Sequence, residues 1–115
     1  MALDGIWTGE LYGVYGWEST GILILEKGRV LGGGNNHYSV GTYEESDDDV
    51  SLSFVVEYHG QVRTLFGESR RNISVNFEGK RDGSVIEGTL ARPDRADMTV
   101  TCRLSKRADL SALPA

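Results

Sequence analysis

Five of the six residues from Glu44 to Asp49 are carboxylates: Glu44, Glu45, Asp47, Asp48 and Asp49, with Ser46 between them. Three kinds of chemistry use acids at this density. A calcium site needs several hard oxygen ligands on one loop, but Asp47-Asp48-Asp49 is contiguous, and the alternation Asp-x-Asp-x-Asp-Gly of a calcium loop is absent. A docking surface uses such a cluster as a local field that steers a basic partner. A solvated hairpin tip tolerates the same cluster because water and salt screen the repulsion. The last two readings stay open on sequence grounds.

The other reactive side chains do not assemble a catalytic pattern. His37 follows the turn-rich run Gly32-Gly33-Gly34-Asn35-Asn36, and His59 precedes Gly60. They fall at opposite ends of different elements, which disfavours a shared metal or general-base role. Cys102 alternates with Met98, Val100 and Leu104, the pattern of a buried inert thiol rather than a nucleophile. The glycines at 32–34 lack the strand-to-helix context of a phosphate loop or a dinucleotide fingerprint. The expectation is a non-enzymatic protein with no cofactor and no metal.

Length and charge narrow the classes further. A chain of 115 residues has room for a single domain, 1–115, that buries roughly two thirds of its unfolded surface without a disulfide or metal. One cysteine cannot form an intramolecular disulfide and fits a reducing cytoplasm. The net charge of -5 repels phosphate backbones, so no direct nucleic-acid contact is expected. The pairs Arg70-Arg71, Lys80-Arg81 and Lys106-Arg107 read as scattered solvating charges. Met1 to Gly5 lacks the basic and apolar regions of a signal peptide, and the longest apolar run, Ile22 to Leu25, is too short to span a bilayer. A cytoplasmic protein without membrane contact is the expectation.

Period-two alternation recurs along the chain and predicts the elements that would position these groups. Val50, Leu52, Phe54, Val56 and Tyr58 share one face; Ile73, Val75 and Phe77 share another. Eight strands are predicted at 5–12, 18–26, 29–33, 37–44, 50–58, 72–79, 84–91 and 97–105. Lys27-Gly28 and Arg81-Asp82-Gly83 read as hairpin turns, and Arg92-Pro93-Asp94 breaks the next pair. Short hairpins joining eight antiparallel strands predict an all-β up-and-down barrel, with a two-sheet sandwich as the rival. The acidic cluster then falls on the hairpin between the fourth and fifth strands.

Three further expectations follow. Val62, Leu65 and Phe66 are too apolar for a free loop and suggest a short helical turn plugging one end near residues 60–70. At Gly21 to Leu25 both strand faces are apolar, so one must point outward. Leu23, Ile24 and Leu25 are taken as a homodimer interface, with cover by Ala108 to Leu113 as the rival explanation. Trp7, Leu11, Phe54, Val56, Val75 and Phe77 would line the interior. That interior is either a packed core or a cavity for a small apolar ligand such as a lipid or acyl chain.

Specific short motifs carry a resemblance. Asp4-Gly5-Ile6-Trp7, Gly21-Ile22-Leu23-Ile24 before Lys27-Gly28, the pair Gly32-Gly33, and Tyr38-Ser39-Val40-Gly41-Thr42-Tyr43 followed by acids and Val50 resemble the bacterial GrlR-like family. These are small negative regulators of type III secretion, and the resemblance covers residues 4–60. It implies a lipocalin-like barrel, a plug-like loop and a hydrophobic dimer interface. It also implies that an acidic run, matched here by Glu45 and Asp47 to Asp49, binds a basic DNA-binding transcriptional activator and holds it inactive. Ser46 interrupts that run, and one residue is extra.

Overall fold

A computed structural model describes residues 3–13, 16–59 and 72–110. Their strands are β1 (Gly5–Gly13), β2 (Gly16–Glu26), β3 (Arg29–Gly33), β4 (His37–Ser46), β5 (Asp49–Tyr58), β6 (Asn72–Asp82), β7 (Val85–Arg92) and β8 (Arg95–Ala108). Each pairs antiparallel with the next, and β8 returns to β1 to close a barrel. Closure excludes the sandwich. β3 runs over 29–33 as expected, whereas β8 outruns its apolar alternation because Ser105 and Lys106 still find ladder partners in Thr8 and Trp7.

Turn chemistry sets the register. Lys27 and Gly28 have φ of 50° and 81°, so both central residues of the β2–β3 hairpin are left-handed, as a type I′ turn requires. Glycine adopts this freely, and lysine is held there by the ladder on either side. Across β6 and β7, Gly79 faces Gly88. A Cβ on Gly88 would lie 2.0 Å from the Glu78 carbonyl oxygen, so the two backbones come together where no side chain fits.

The inward residues form one core. Trp7, Leu25, Val30, Val50, Leu52, Val56, Ile73, Val75, Phe77, Ile86 and Leu104 are buried. Burying a Val-, Leu- or Phe-sized side chain contributes about 1.5–3 kcal/mol, so these residues supply the main driving force for the fold. Leu3 is also buried, and its carbonyl accepts the Trp7 indole N–H at 2.9 Å. The N-terminal residues thus fold over one end of the barrel.

Period two corrects the expected interface on β2. Leu25 is 0% exposed in the core, and Leu23 packs against the core. Their neighbours Ile22 and Ile24 take the outward face. Leu23 and Leu25 therefore do not share a surface with Ile24, because successive strand residues point to opposite sides. Ile24 instead belongs to an outward row, Ile6–Ile24–Leu31–Val40–Val55, that crosses five strands in register. Ile22 and Tyr38 extend it along the next row, on either side of Gly33. The expected plug residues Val62, Leu65 and Phe66 lie outside the described residues, as do residues 111–113 of the rival C-terminal cover.

Candidate functional site

The barrel has two chemically different ends. Turns at Lys27–Gly28, Asp47–Asp48 and Gly83–Ser84 share the end sealed by Leu3, here called the acidic end. The Gly34–Asn36 and Pro93–Asp94 connections share the other, called the histidine end.

At the acidic end, strand parity splits the carboxylate cluster. Glu45 faces Val50 across the ladder and meets the sheltered Arg81 guanidinium at 3.3 Å. Asp49 faces Lys80 across β5 and β6 and forms an ion pair with it, and this pair raises the lysine pKa. The Arg81 amide also donates to the Asp48 carbonyl at 2.7 Å. Two of the five carboxylates are thus matched by cations that the sequence separates from them by more than thirty residues. Glu44, Asp47 and Asp48 are exposed with no ion pair among the described residues. Asp47 takes φ of 56°, a left-handed turn conformation that aspartate tolerates better than most residues. From this turn, a shallow polar depression runs along the outer face past Thr42, Ser51, Ser53 and Asn76, between Glu44 and Glu78. Ser51 donates to Glu78 at 2.9 Å, and Ser53 to Asn76 at 3.0 Å.

The sealing contacts continue beneath the turn. Asp4 accepts the Tyr43 hydroxyl at 2.9 Å and the Lys27 amide at 3.2 Å, tying the N-terminal segment to two hairpins. Burial first, and the Asp4 hydrogen bond second, raise the Tyr43 pKa by disfavouring the phenolate.

At the histidine end, His37 pairs with Tyr58 across β4 and β5, with ring centroids 5.6 Å apart. The His59 amide donates to the Asn36 carbonyl at 2.9 Å. The two histidines fall at opposite ends of different strands, as expected, and are nonetheless neighbours. In an antiparallel hairpin the start of one strand meets the end of its partner. Burial, then the charge of His59, lowers the His37 pKa and favours the neutral imidazole. Among the described residues, no group of three or more His, Cys, Asp or Glu is placed to hold a metal.

A cavity of about 40 Å³ opens inside this end. Leu11, Phe54, Val56 and Phe77 line it as expected, while Trp7 and Val75 are fully buried in the core away from it. Thr20, His37, Ser39 and Cys102 also line it and were not expected there. Burial raises the Cys102 thiol pKa to about 12, so it is a neutral, unreactive group. Thr20 escaped detection because it is the extra residue of a β-bulge, where Gly9 pairs with Gly21 and Glu10 with Ser19. A bulge breaks the alternation that sequence reading depends on.

Among the described residues, no helix is long and apolar enough to cross a membrane. No family model matches the chain. Among curated proteins it is similar to a triosephosphate isomerase of Nitrosomonas europaea, 29% identical over 106 residues that cover 80% of this chain and 42% of that protein. The chain thus spans less than half the length of that relative. A triosephosphate isomerase barrel alternates parallel strands with helices. The present barrel is antiparallel throughout, so the similarity carries neither fold nor activity across.

Proposed function

We propose that this chain is a non-enzymatic regulatory protein that docks a basic protein partner on its acidic end. The observation that carries this reading is the division of the carboxylate cluster. Arg81 and Lys80 hold Glu45 and Asp49 and so brace the hairpin, while Glu44, Asp47 and Asp48 project from it with no ion pair among the described residues, Asp48 lying only in the field of Lys80. Fixed charges on a braced turn attract a basic surface without first having to be ordered. The depression between Glu44 and Glu78 extends the same acidic field along the outer wall. The resemblance of residues 4–60 to the GrlR-like family supports the same reading and suggests a DNA-binding transcriptional activator as the partner, met in the cytoplasm.

The regulator acts in this reading as a homodimer. The row Ile6–Ile24–Leu31–Val40–Val55 is the surface offered to the second copy, since Leu31 and Val40 remain 38% and 44% exposed beside Ile22 at 46% and Tyr38 at 53%. Charged residues occupy the outer face of β6 to β8, where Arg103 pairs with Glu10 at 3.1 Å and lies 4.1 Å over Trp17. Among the described residues, the exposed large apolar side chains other than Tyr12 fall in one sector, as a pairwise interface requires and a lipid-facing girdle does not. Replacement of Leu31 by Glu should give monomers in sedimentation; unchanged dimers would reject this face.

An apolar carrier is the weaker alternative. A space of about 40 Å³ holds about three water molecules, far short of the roughly 300–1,000 Å³ of pockets for larger ligands. The test of the docking role is Asp47→Asn with Asp48→Asn and Glu44→Gln, followed by pull-down from a lysate of the source cells. Partners captured by the unaltered protein should be lost. Retention of every partner would defeat the proposal.

A further inference from the structure

The cavity at the histidine end has a composition that a packed core does not need. Its floor is apolar, with Phe54 and Leu90 among its residues. Its polar groups come from two strands on one side: Thr20 on β2, and His37 and Ser39 on β4. Gly34 sits between them, since a Cβ there would lie 3.0 Å from the His37 ring and 3.2 Å from the Thr20 carbonyl oxygen.

Ser39 carries the argument. It is only 4% exposed, and its hydroxyl has no hydrogen-bond partner among the described residues, yet it borders the cavity. Among the described residues no buried side-chain nitrogen or oxygen lacks a partner, so this hydroxyl is open to the cavity rather than sealed in the core, where water or a guest can reach it. In a core selected for packing alone, alanine or valine would serve better at this position. The bulge adds a second hydroxyl. It turns Thr20 toward Gly9, where an added Cβ would stand 3.0 Å from the threonine Oγ1. The absent side chain of Gly9 is thus the room that the Thr20 hydroxyl uses.

Among the described residues, no charged group lines the cavity. Burial keeps the Cys102 thiol protonated and favours the neutral His37 imidazole. A charged ligand head would lose its hydration without gaining a counter-charge. A neutral head can exchange hydrogen bonds with two hydroxyls and an imidazole, each of which both donates and accepts.

We infer that the histidine end binds a small neutral amphiphile, a short-chain alcohol in chemical class, with its hydroxyl on Ser39, Thr20 and His37 and its apolar tail on the floor beside Phe54 and Leu90. The cavity volume limits the enclosed part to about three or four non-hydrogen atoms, given the volume a water molecule occupies. Longer ligands must project through the mouth. This site is independent of the acidic turn, and neither proposal requires the other.

The test is titration of the full-length, 15N-labelled protein with n-alcohols of increasing length, 1-butanol among them, followed by two-dimensional NMR. Butyrate serves as the charged probe of matched length. Saturable shifts at Gly9, Thr20, Ser39 and Cys102 are expected with 1-butanol, and at least tenfold weaker binding with butyrate at neutral pH. Ser39→Ala should weaken 1-butanol roughly tenfold, the effect of one lost hydrogen bond, while the variant melts at or above the original temperature. Cys102→Leu, which fills the space with methyl groups, should abolish the shifts at Ser39 in a chain that circular dichroism shows to be folded. The inference is overturned if 1-butanol produces no saturable shift, which would mean the cavity holds water alone. Equal affinity for 1-butanol and butyrate, or unaltered affinity in Ser39→Ala, overturns it as well.

Discussion

The two ends of this barrel solve the same closure problem with different chemistry. At the acidic end, Leu3, Trp7 and Leu25 fill the interior, and Asp4, Tyr43, Glu45 and Arg81 tie the rim together. At the histidine end, a space remains inside, bordered by hydroxyls and an imidazole, while at its rim the buried Arg92 guanidinium donates twice to the Asp94 carboxylate. The comparison teaches that a closed hydrogen-bonded ladder does not dictate a uniformly packed interior. One end has the rigidity to present a charged turn, and the other retains volume and polar groups.

The largest difference between the ends should appear on truncating the same side chain at each. Leu25→Ala removes a side chain from the filled end and should cost about 4 kcal/mol, whereas Leu11→Ala enlarges a space already present and should cost about 2 kcal/mol. Urea unfolding measures both. Leu25→Ala also tests the correction on β2, because an outward leucine would change stability by no more than about 0.5 kcal/mol.

A smaller contrast separates the polar groups. Tyr43→Phe deletes the hydroxyl that Asp4 accepts and should cost about 1 kcal/mol. The Tyr43 pKa is raised in the folded protein, so its contribution is present below pH 10 and declines as pH rises above that value. The variant should accordingly lose part of the alkaline decline in melting temperature. Removal of the rim bond with no change in stability would show that the two ends are equally loose.

The smallest effect concerns acid. His37 has a folded pKa below its ordinary 6.5, so the unfolded chain binds the proton more readily between those two values. Stability is therefore full above about pH 6.5 and falls as pH drops toward the lowered value. His37→Gln should flatten the melting temperature between pH 7 and pH 5. His59→Gln should flatten it partially, because the His59 charge is the second cause of the shift. An unchanged slope in both would place the acid sensitivity elsewhere.

The barrel was legible in the sequence because its strands alternate cleanly and its turns carry glycine at 28 and 83. The same period misled at Leu23 to Leu25, where four apolar residues in a row leave the inward set undetermined until the register is known. Neighbours across the ladder were less legible. That Arg81 reaches Glu45, or that His37 lies beside His59, depends on strand pairing rather than on local pattern. Ser39 was invisible for a third reason: a small polar residue inside a strand looks the same whether it faces water or a cavity.

The return of β8 to β1 has a consequence in time. Glu10 and Arg103, bonded across that seam, are 93 residues apart in the chain. Of the eight strands, β8 is the last to leave the ribosome, so the seam cannot form until nearly all the described chain has been made. Until then β1 presents an unpaired strand edge, and its Trp7 lacks its neighbours from β8. Contacts this distant in sequence slow folding toward milliseconds to seconds. The interval between synthesis and closure is therefore when this protein is most exposed to aggregation.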